Sequence, residues 1–267
     1  MKLITWTSCI VISAAVVGAQ TPSVPDGGIV NAASYAKGQA VSPGALVAIF
    51  GSELASGIAL ADSIPLSTSR LDVSVTFNGV PAPLHFVSPG QINAQMPWNV
   101  LPAGVVNGTA NVVVKRGSAS STSTVVQVTQ AAPGIFSIPP GAGYAVAINP
   151  DGTLAAPVGA ITGTNTRPAK VGEVVVILAS GLGAVDSPVA NGANSLDKTR
   201  HAVIVPGVFF GGQAATVQFA GLSPEFVGVN QINATVPSVT AGDHIPLQLD
   251  ANGIRSTDQV VVAVAAP

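Results

Sequence analysis

Leu71-Asp72-Val73-Ser74-Val75-Thr76-Phe77-Asn78-Gly79 places apolar residues at 71, 73, 75 and 77 and polar ones at 72, 74 and 76. A period of two sends successive side chains to opposite faces of a pleated strand, so the run predicts a strand with one buried face. Asn78-Gly79 then supplies two residues that accept positive φ, which is what a two-residue hairpin turn needs.

The same grammar extends outward. Ile245, Leu247 and Leu249 alternate with His244, Pro246, Gln248 and Asp250, and the run reaches Asn252-Gly253. Val112 and Val114 lead into the turn Lys115-Arg116-Gly117-Ser118. Val174, Val176 and Leu178 lie in a mostly apolar run, expected as a strand buried on both faces. Tyr144-Ala145-Val146-Ala147-Ile148 followed by Asn149-Pro150-Asp151-Gly152 reads as a strand and a turn. No amphipathic helical run of useful length follows the N-terminal segment. With 29 Gly and 21 Pro breaking the chain at short intervals, many short strands are expected and the class is all-β.

The chain also repeats itself. Gln91-Ile92-Asn93-Ala94 with Pro97 returns as Gln231-Ile232-Asn233-Ala234 with Pro237, and Thr76-Phe77-Asn78-Gly79 parallels Phe209-Phe210-Gly211-Gly212. Gly44-Ala45-Leu46-Val47-Ala48-Ile49-Phe50-Gly51 parallels Gly172-Glu173-Val174-Val175-Val176-Ile177-Leu178-Ala179. Three blocks in one order, far enough apart to exceed the ~20–50-residue period of solenoids, indicate duplicated domains. Units of about 110 residues with turns every ~8–12 residues have the rhythm of a sandwich. The expectation is therefore two tandem immunoglobulin-like β-sandwiches, at 28–130 and 171–267. Between them, 131–170 is expected as a structured connector packed on the second.

The N-terminus carries a different signal. Met1-Lys2 is a short basic start, Ile10–Val17 is apolar, and Val17-Gly18-Ala19 ends in small residues. That order is a secretory signal peptide over 1–19, cleaved near Ala19, and its apolar run is too short for the ~20 residues of a membrane span. The exported chain is expected to be secreted or held at the cell surface, without a membrane span of its own. Cys9 is the only cysteine and lies inside this signal, so disulfides and cysteine-based zinc sites are excluded. At about 250 residues the rest can bury a core without them. Lys2 is one of 10 basic residues set against 12 acidic ones, which leaves the exported chain at −3. Only 8% of residues are charged, against a typical ~25%. A surface so poor in Lys and Arg does not neutralise a phosphate backbone, which argues against nucleic acid as a partner.

These blocks carry a resemblance. Each unit resembles an IPT/TIG-type immunoglobulin-like domain, with its Phe-Gly or Ser-Gly-Leu-Gly step, Val-rich strand, Asn-Gly or Gly-Gly turn and later Ile-Asn. The chain from about Gly28 onward is also similar to a family of secreted acidobacterial proteins of Solibacter type that share an uncharacterised C-terminal domain. The residues that carry this are Asn31-Ala32-Ala33-Ser34, Asn78-Gly79-Val80-Pro81-Ala82-Pro83 and Val87-Ser88-Pro89-Gly90-Gln91-Ile92-Asn93. Ala132-Pro133-Gly134-Ile135-Phe136, Ser180-Gly181-Leu182-Gly183, Phe219-Ala220-Gly221-Leu222 and Gln231-Ile232-Asn233 complete the set. The resemblance implies fold and export and brings no catalytic residue with it.

Chemistry is sparse. Nucleophilic catalysis needs a nucleophile, a base and an orienting group, and the histidines are only His85, His201 and His244. Gly51-Ser52-Glu53 and Ala179-Ser180-Gly181 lack the full nucleophile-elbow pattern. Asn149, Asp151 and Thr153 have the spacing of a calcium loop but no closing acid, so a Pro-Asp-Gly turn is the better reading. Asp186 and Asp197, with Asn191 and Asn194 between them, are the candidate metal ligands, set against a solvated loop. The Gln-Ile-Asn blocks read as amides that satisfy loop backbone groups. Trp98, Tyr35 and Tyr144 are the candidate ligand-binding aromatics, and a lone Trp is more often a domain-contact residue. The expected protein has no catalytic residues and no cofactor, and serves a structural, adhesive or protein-interaction role. The alternative is a carbohydrate-binding module, calcium-assisted if the two aspartates take a metal, so the partner is a protein or a glycan.

Overall fold

The computed structural model describes residues 20–257 and 259–266, and every regular element among them is a β-strand. The signal segment 1–19 with its expected cleavage point lies outside the described residues. No helix among the described residues is long and apolar enough to cross a membrane.

Strand Val73–Phe77 shows how the alternation is used: Val73, Val75 and Phe77 are fully buried, while Ser74 and Thr76 are half-buried. Leu71, counted in the same inward series, departs from it. Leu71 and Asp72 adopt φ of 48° and 59°, so the strand begins two residues later and Leu71 is 44% exposed in a turn. Asn78 and Gly79, at φ 50° and 80°, join the strand to Val80–Pro81 with Phe77 opposite Val80. Gly211-Gly212 and Asn252-Gly253 make the same two-residue turn, with Phe210 opposite Gln213 and Ala251 opposite Ile254.

In the N-terminal half two sheets face each other. One runs Ile29–Asn31, Leu46–Phe50, Gln91–Gln95, Leu84–Val87, Ala59–Leu60; the other centres on Val73–Phe77 and Gly108–Arg116, with Thr124–Val128 beyond. Val47, Ile49, Leu84 and Ile92 from the first meet Val75, Phe77, Val112, Val114 and Val126 from the second in one buried cluster.

The C-terminal half is a continuous 13-stranded network. Gln213–Leu222 and Gly242–Ala251 are each 10 residues long and pass from one face to the other. Gln213–Leu222 pairs first with Gly207–Phe210 and then with Asn230–Thr235, and a register shift between Val217 and Phe219 marks the bend. An extra residue at such a point increases twist and lets one strand serve two sheets. Ile177, Phe210, Ile232, Leu247, Leu249 and Val262 fill this second core. Strand Val174–Ser180 buries Val175, Ile177 and Ala179, whereas Val174, Val176 and Leu178 are only half-buried, a correction to the expectation that both faces are closed.

The repeat is visible in register. Ile49 pairs with Ile92 and Phe50 with Gln91; Ile177 pairs with Ile232 and Leu178 with Gln231. Segment 131–170 hydrogen-bonds into the second network. Gly134–Ile135 and Ala147–Ile148 pair with Val174–Ser180, Gly143–Ala145 pairs with Val260–Val264, and Leu154–Ala155 pairs with Thr166–Arg167.

Candidate functional site at the junction and on the outer sheet

Where the two halves meet, buried polar side chains join them. Asn31, only 4% exposed, donates from Nδ2 to the carbonyls of Ala132 at 2.9 Å and Ser180 at 3.0 Å, and its Oδ1 accepts from the Ala33 amide at 2.8 Å. Ser180 is fully buried; its Oγ accepts from the Leu46 amide at 2.9 Å and donates to the Gly228 carbonyl at 2.8 Å. A hydroxyl engaged on both sides in a water-free place is not an available nucleophile, so Ser180-Gly181 is a structural step. Gly181 and Gly183, at φ 99° and 76°, let the chain pass against the carbonyls of Ala132 and Gln130, where a Cβ would overlap. Val30, Ala32, Leu46 and Ala48 with Tyr35, Phe50 and Phe136 form the apolar part of this seam.

Trp98 belongs to the same junction. Its backbone amide donates to Asn191 Oδ1 at 2.9 Å, and its ring lies on Gly44, where any Cβ would collide with it. Asn191 also donates to Asn99, and the Gly192 amide donates to Gln95 Oε1 at 2.7 Å. Trp98 lines a cleft of about 400 Å³ with Pro43, Leu101, Val105, Val106 and Ala184, and its buried indole Nε1 has no hydrogen-bond partner among the described residues. Tyr35 stacks at 5.9 Å on Phe50, and Tyr144 meets His244 Nε2 at 3.2 Å from its hydroxyl. Tyr144 packs with Val146, Ile148, Leu154 and Ile161. Tyr35 and Trp98 thus both serve the junction, while Tyr144 stands apart beside His244.

The two candidate metal ligands have other partners. Asp186 accepts from the His201 amide and faces its Nδ1 at 3.0 Å, and that contact holds its carboxyl below the usual range. Asp197 receives both terminal nitrogens of Arg200, at 2.6 and 2.9 Å, with the same effect on its carboxyl. Among the described residues no three His, Cys, Asp or Glu side chains gather in a way that could hold a metal. Asp151 pairs with Arg167 and accepts from Thr153, and the Gly152 amide donates to Asn149, the bonds of a turn.

The histidines divide as follows. His201 has its acid in Asp186, but among the described residues its hydrogen bonds include no serine or threonine hydroxyl. His85 has a buried Nε2 with no hydrogen-bond partner among the described residues; burial pushes the imidazole below its ordinary range, with the Val227 backbone opposing.

The repeated amides differ from expectation. Gln91 Nε2 donates to Asn93 Oδ1 at 2.8 Å, and Gln231 Nε2 donates to Asn233 Oδ1 at 2.9 Å. They bond to each other on the outer face, while Ile92 and Ile232 between them point into the cores. Loop backbone is satisfied by neighbours instead: Asn230 accepts from the Leu182 amide and donates to the Gly221 carbonyl. In both halves a phenylalanine stands across from the outer Asn, Phe86 from Asn93 and Phe219 from Asn233. The i, i+2 spacing was readable in advance; the Phe partners depend on strand pairing and were not.

Comparison with known proteins bears on the fold. The extracellular region of plexin A4 covers 97% of this chain at 12% identity and TM-score 0.25, while this chain spans 20% of it. SGBP-B of the Bacteroides ovatus mixed-linkage glucan utilization locus, in complex with a mixed-linkage heptasaccharide, covers 84% at 16% identity and TM-score 0.32. This chain spans 43% of that one. Domains 5–6 of the S-layer protein SbsC cover 91% at 12% identity and TM-score 0.26, with 99% of that chain aligned. A search of curated proteins gives no match. Residues 29–130 match the family model of the IPT/TIG domain, and with the facing antiparallel sheets described above the protein is all-β with an immunoglobulin-like fold.

Proposed function

We propose that this chain is an exported, non-catalytic module in which two immunoglobulin-like sandwiches, 28–130 and 171–267, are held at a fixed angle to serve a structural or protein-interaction role outside the cell. Segment 131–170 acts as part of the second sandwich in this reading. The observation that carries it is the junction where Asn31 bonds the Ser180 carbonyl and the Leu46 amide bonds Ser180 Oγ and the Gly228 carbonyl, buried hydrogen bonds that cross between the halves. Breaking such bonds leaves desolvated donors and acceptors at ~1–3 kcal/mol each, so the angle between the halves is resisted by more than a tether. A spacer or adhesive needs that rigidity; a catalyst needs a nucleophile and base, and Ser180 is locked.

The test is binding of the purified chain from Gln20 onward to envelopes isolated from the producing cells, with turnover assays on generic ester, peptide and glycoside substrates in parallel. Saturable retention on the envelope without turnover is expected. Reproducible turnover that co-purifies with the protein through several steps would sink the reading, and so would the absence of any envelope retention.

A further inference from the structure

The outer face of the second half carries a constellation that the junction does not use. Strand Asn230–Thr235 turns Gln231 and Asn233 outward, joined by the 2.9 Å amide bond. Phe219 lies opposite Asn233 on strand Gln213–Leu222. Two residues further along, Gly221 has no side chain, and a Cβ there would stand 2.7 Å from Phe219 Cζ. The tip of the phenyl ring therefore lies over the glycine, beside the Arg200 carbonyl that the same Cβ would meet, and the ring is half-buried. His201 bridges to Gly221 from the far side and sets its ring at 5.4 Å and 60° to Phe219. Asp186 holds that imidazole in place. Ser195, Thr199, Leu222 and Pro224 complete a depression of about 280 Å³.

Its chemistry is selective. None of the residues lining the depression is charged. The Gln231–Asn233 bond uses one N–H and one oxygen, and among the described residues no other side-chain hydrogen bond of this pair is formed, leaving amide donors and an acceptor beside an aromatic ring. A sugar ring presents that same combination, a C–H face of weakly positive hydrogens that suits the negative face of a π-system, and a rim of vicinal hydroxyls that pair with planar amides. The volume sits just below the ~300 Å³ lower end of small-molecule sites, the room for a single ring.

We propose that Phe219, Gln231 and Asn233 form a subsite for one neutral pyranose of a glycan, with Phe219 as the stacking floor, the amide pair as the hydroxyl contact and His201 packed against the Phe219 ring. The N-terminal half keeps the amide pair and Phe86 but has Ser88 two residues beyond Phe86, where the second half has Gly221, and Leu60 beside it as strand partner. The flat floor is thereby lost, which assigns the binding to the second half alone. This goes beyond the spacer role and stands or falls separately from envelope retention.

The test is NMR titration of the chain from Gln20 onward with a panel of neutral hexaoses built from glucose, mannose, xylose and galactose. Saturable shifts confined to the amides around Phe219, Gln231, Asn233 and His201 are expected with at least one of them. Phe219→Ala should weaken binding at least tenfold, and Gln231→Ala, a surface change that leaves the core untouched, roughly tenfold. Phe86→Ala should leave binding within twofold. No saturable shift with any panel member overturns the proposal, as does binding that survives Phe219→Ala and Gln231→Ala together, or shifts that centre on the Trp98 cleft.

Discussion

Asn31 and Ser180 show how few polar side chains a low-charge protein needs when each is placed where water is absent. Asn31→Ala would remove a partner of the Ala132 and Ser180 carbonyls and of the Ala33 amide, and Ser180→Ala would leave the Leu46 amide and the Gly228 carbonyl with only their direct 3.3 Å bond to each other. A buried group left unpaired costs ~1–3 kcal/mol, so a loss of about 2–3 kcal/mol is expected for Asn31→Ala from denaturant midpoints, and about 1 kcal/mol for Ser180→Ala, where the Leu46–Gly228 bond persists. Changes below ~0.5 kcal/mol in both would mean that the junction is not closed in solution. His85 gives a pH signature. Its folded pKa lies below the unfolded value of ~6.5 because burial disfavours the charged ring. Its contribution to stability is present above pH ~6.5 and is lost as pH falls through the folded pKa, because the unfolded chain binds the proton more readily in that window. His85→Gln is therefore expected to lose less stability than the parent between pH 7 and pH 5. Equal losses would show that the imidazole is solvated. Asp62, held near a pKa of about 2 by Arg70, titrates well below this range and does not blur the comparison.

At the scale of the element, the turns carry the fold more than the strands do. Gly117 follows strand Gly108–Arg116 with φ 56°, and a Cβ there meets nothing within 4 Å. Asn tolerates this left-handed conformation and reduces the freedom of the unfolded chain, so Gly117→Asn is expected to be neutral or to stabilise by up to ~0.5 kcal/mol. Gly117→Val, β-branched at positive φ, is expected to cost at least ~1–2 kcal/mol. Thermal melts of the two variants side by side decide it, and an equal effect of Asn and Val would exclude the backbone explanation. Leu71 belongs to the same lesson. Alternation placed it inside, yet the turn before Val73 requires positive φ at Leu71 and Asp72 and takes it out of the strand.

For the whole molecule, the boundary between the halves is set by which strands complete which core. Ile135, Ala145 and Ala147 lie inside the second cluster, so a chain beginning at residue 171 lacks part of its own interior. A fragment from residue 131 onward is expected to unfold cooperatively with strand-type circular dichroism, while one from residue 171 is expected to be molten or insoluble. If the shorter fragment folded as well as the longer, the segment 131–170 would be a dispensable connector after all. Solution scattering of the intact chain is expected to give a single compact, elongated shape, and Asn31→Ala combined with Ser180→Ala to broaden it.

What the amino-acid order determined unaided is the local part: strands with period-two faces, hairpins at Asn78-Gly79 and Asn252-Gly253, and the recurrence of Gln91-Ile92-Asn93-Ala94 as Gln231-Ile232-Asn233-Ala234. The strands and hairpins follow from pleat geometry and from which residues tolerate positive φ, and both act within a few neighbouring residues. Tertiary structure alone decided that Gln91 and Gln231 bond to their own Asn93 and Asn233. It also decided that Trp98 is pinned across the junction and that Phe219, Gly221 and His201 form one face. Such contacts join residues tens of positions apart through strand register, and register is selected by the burial of whole sheets, which no local pattern encodes.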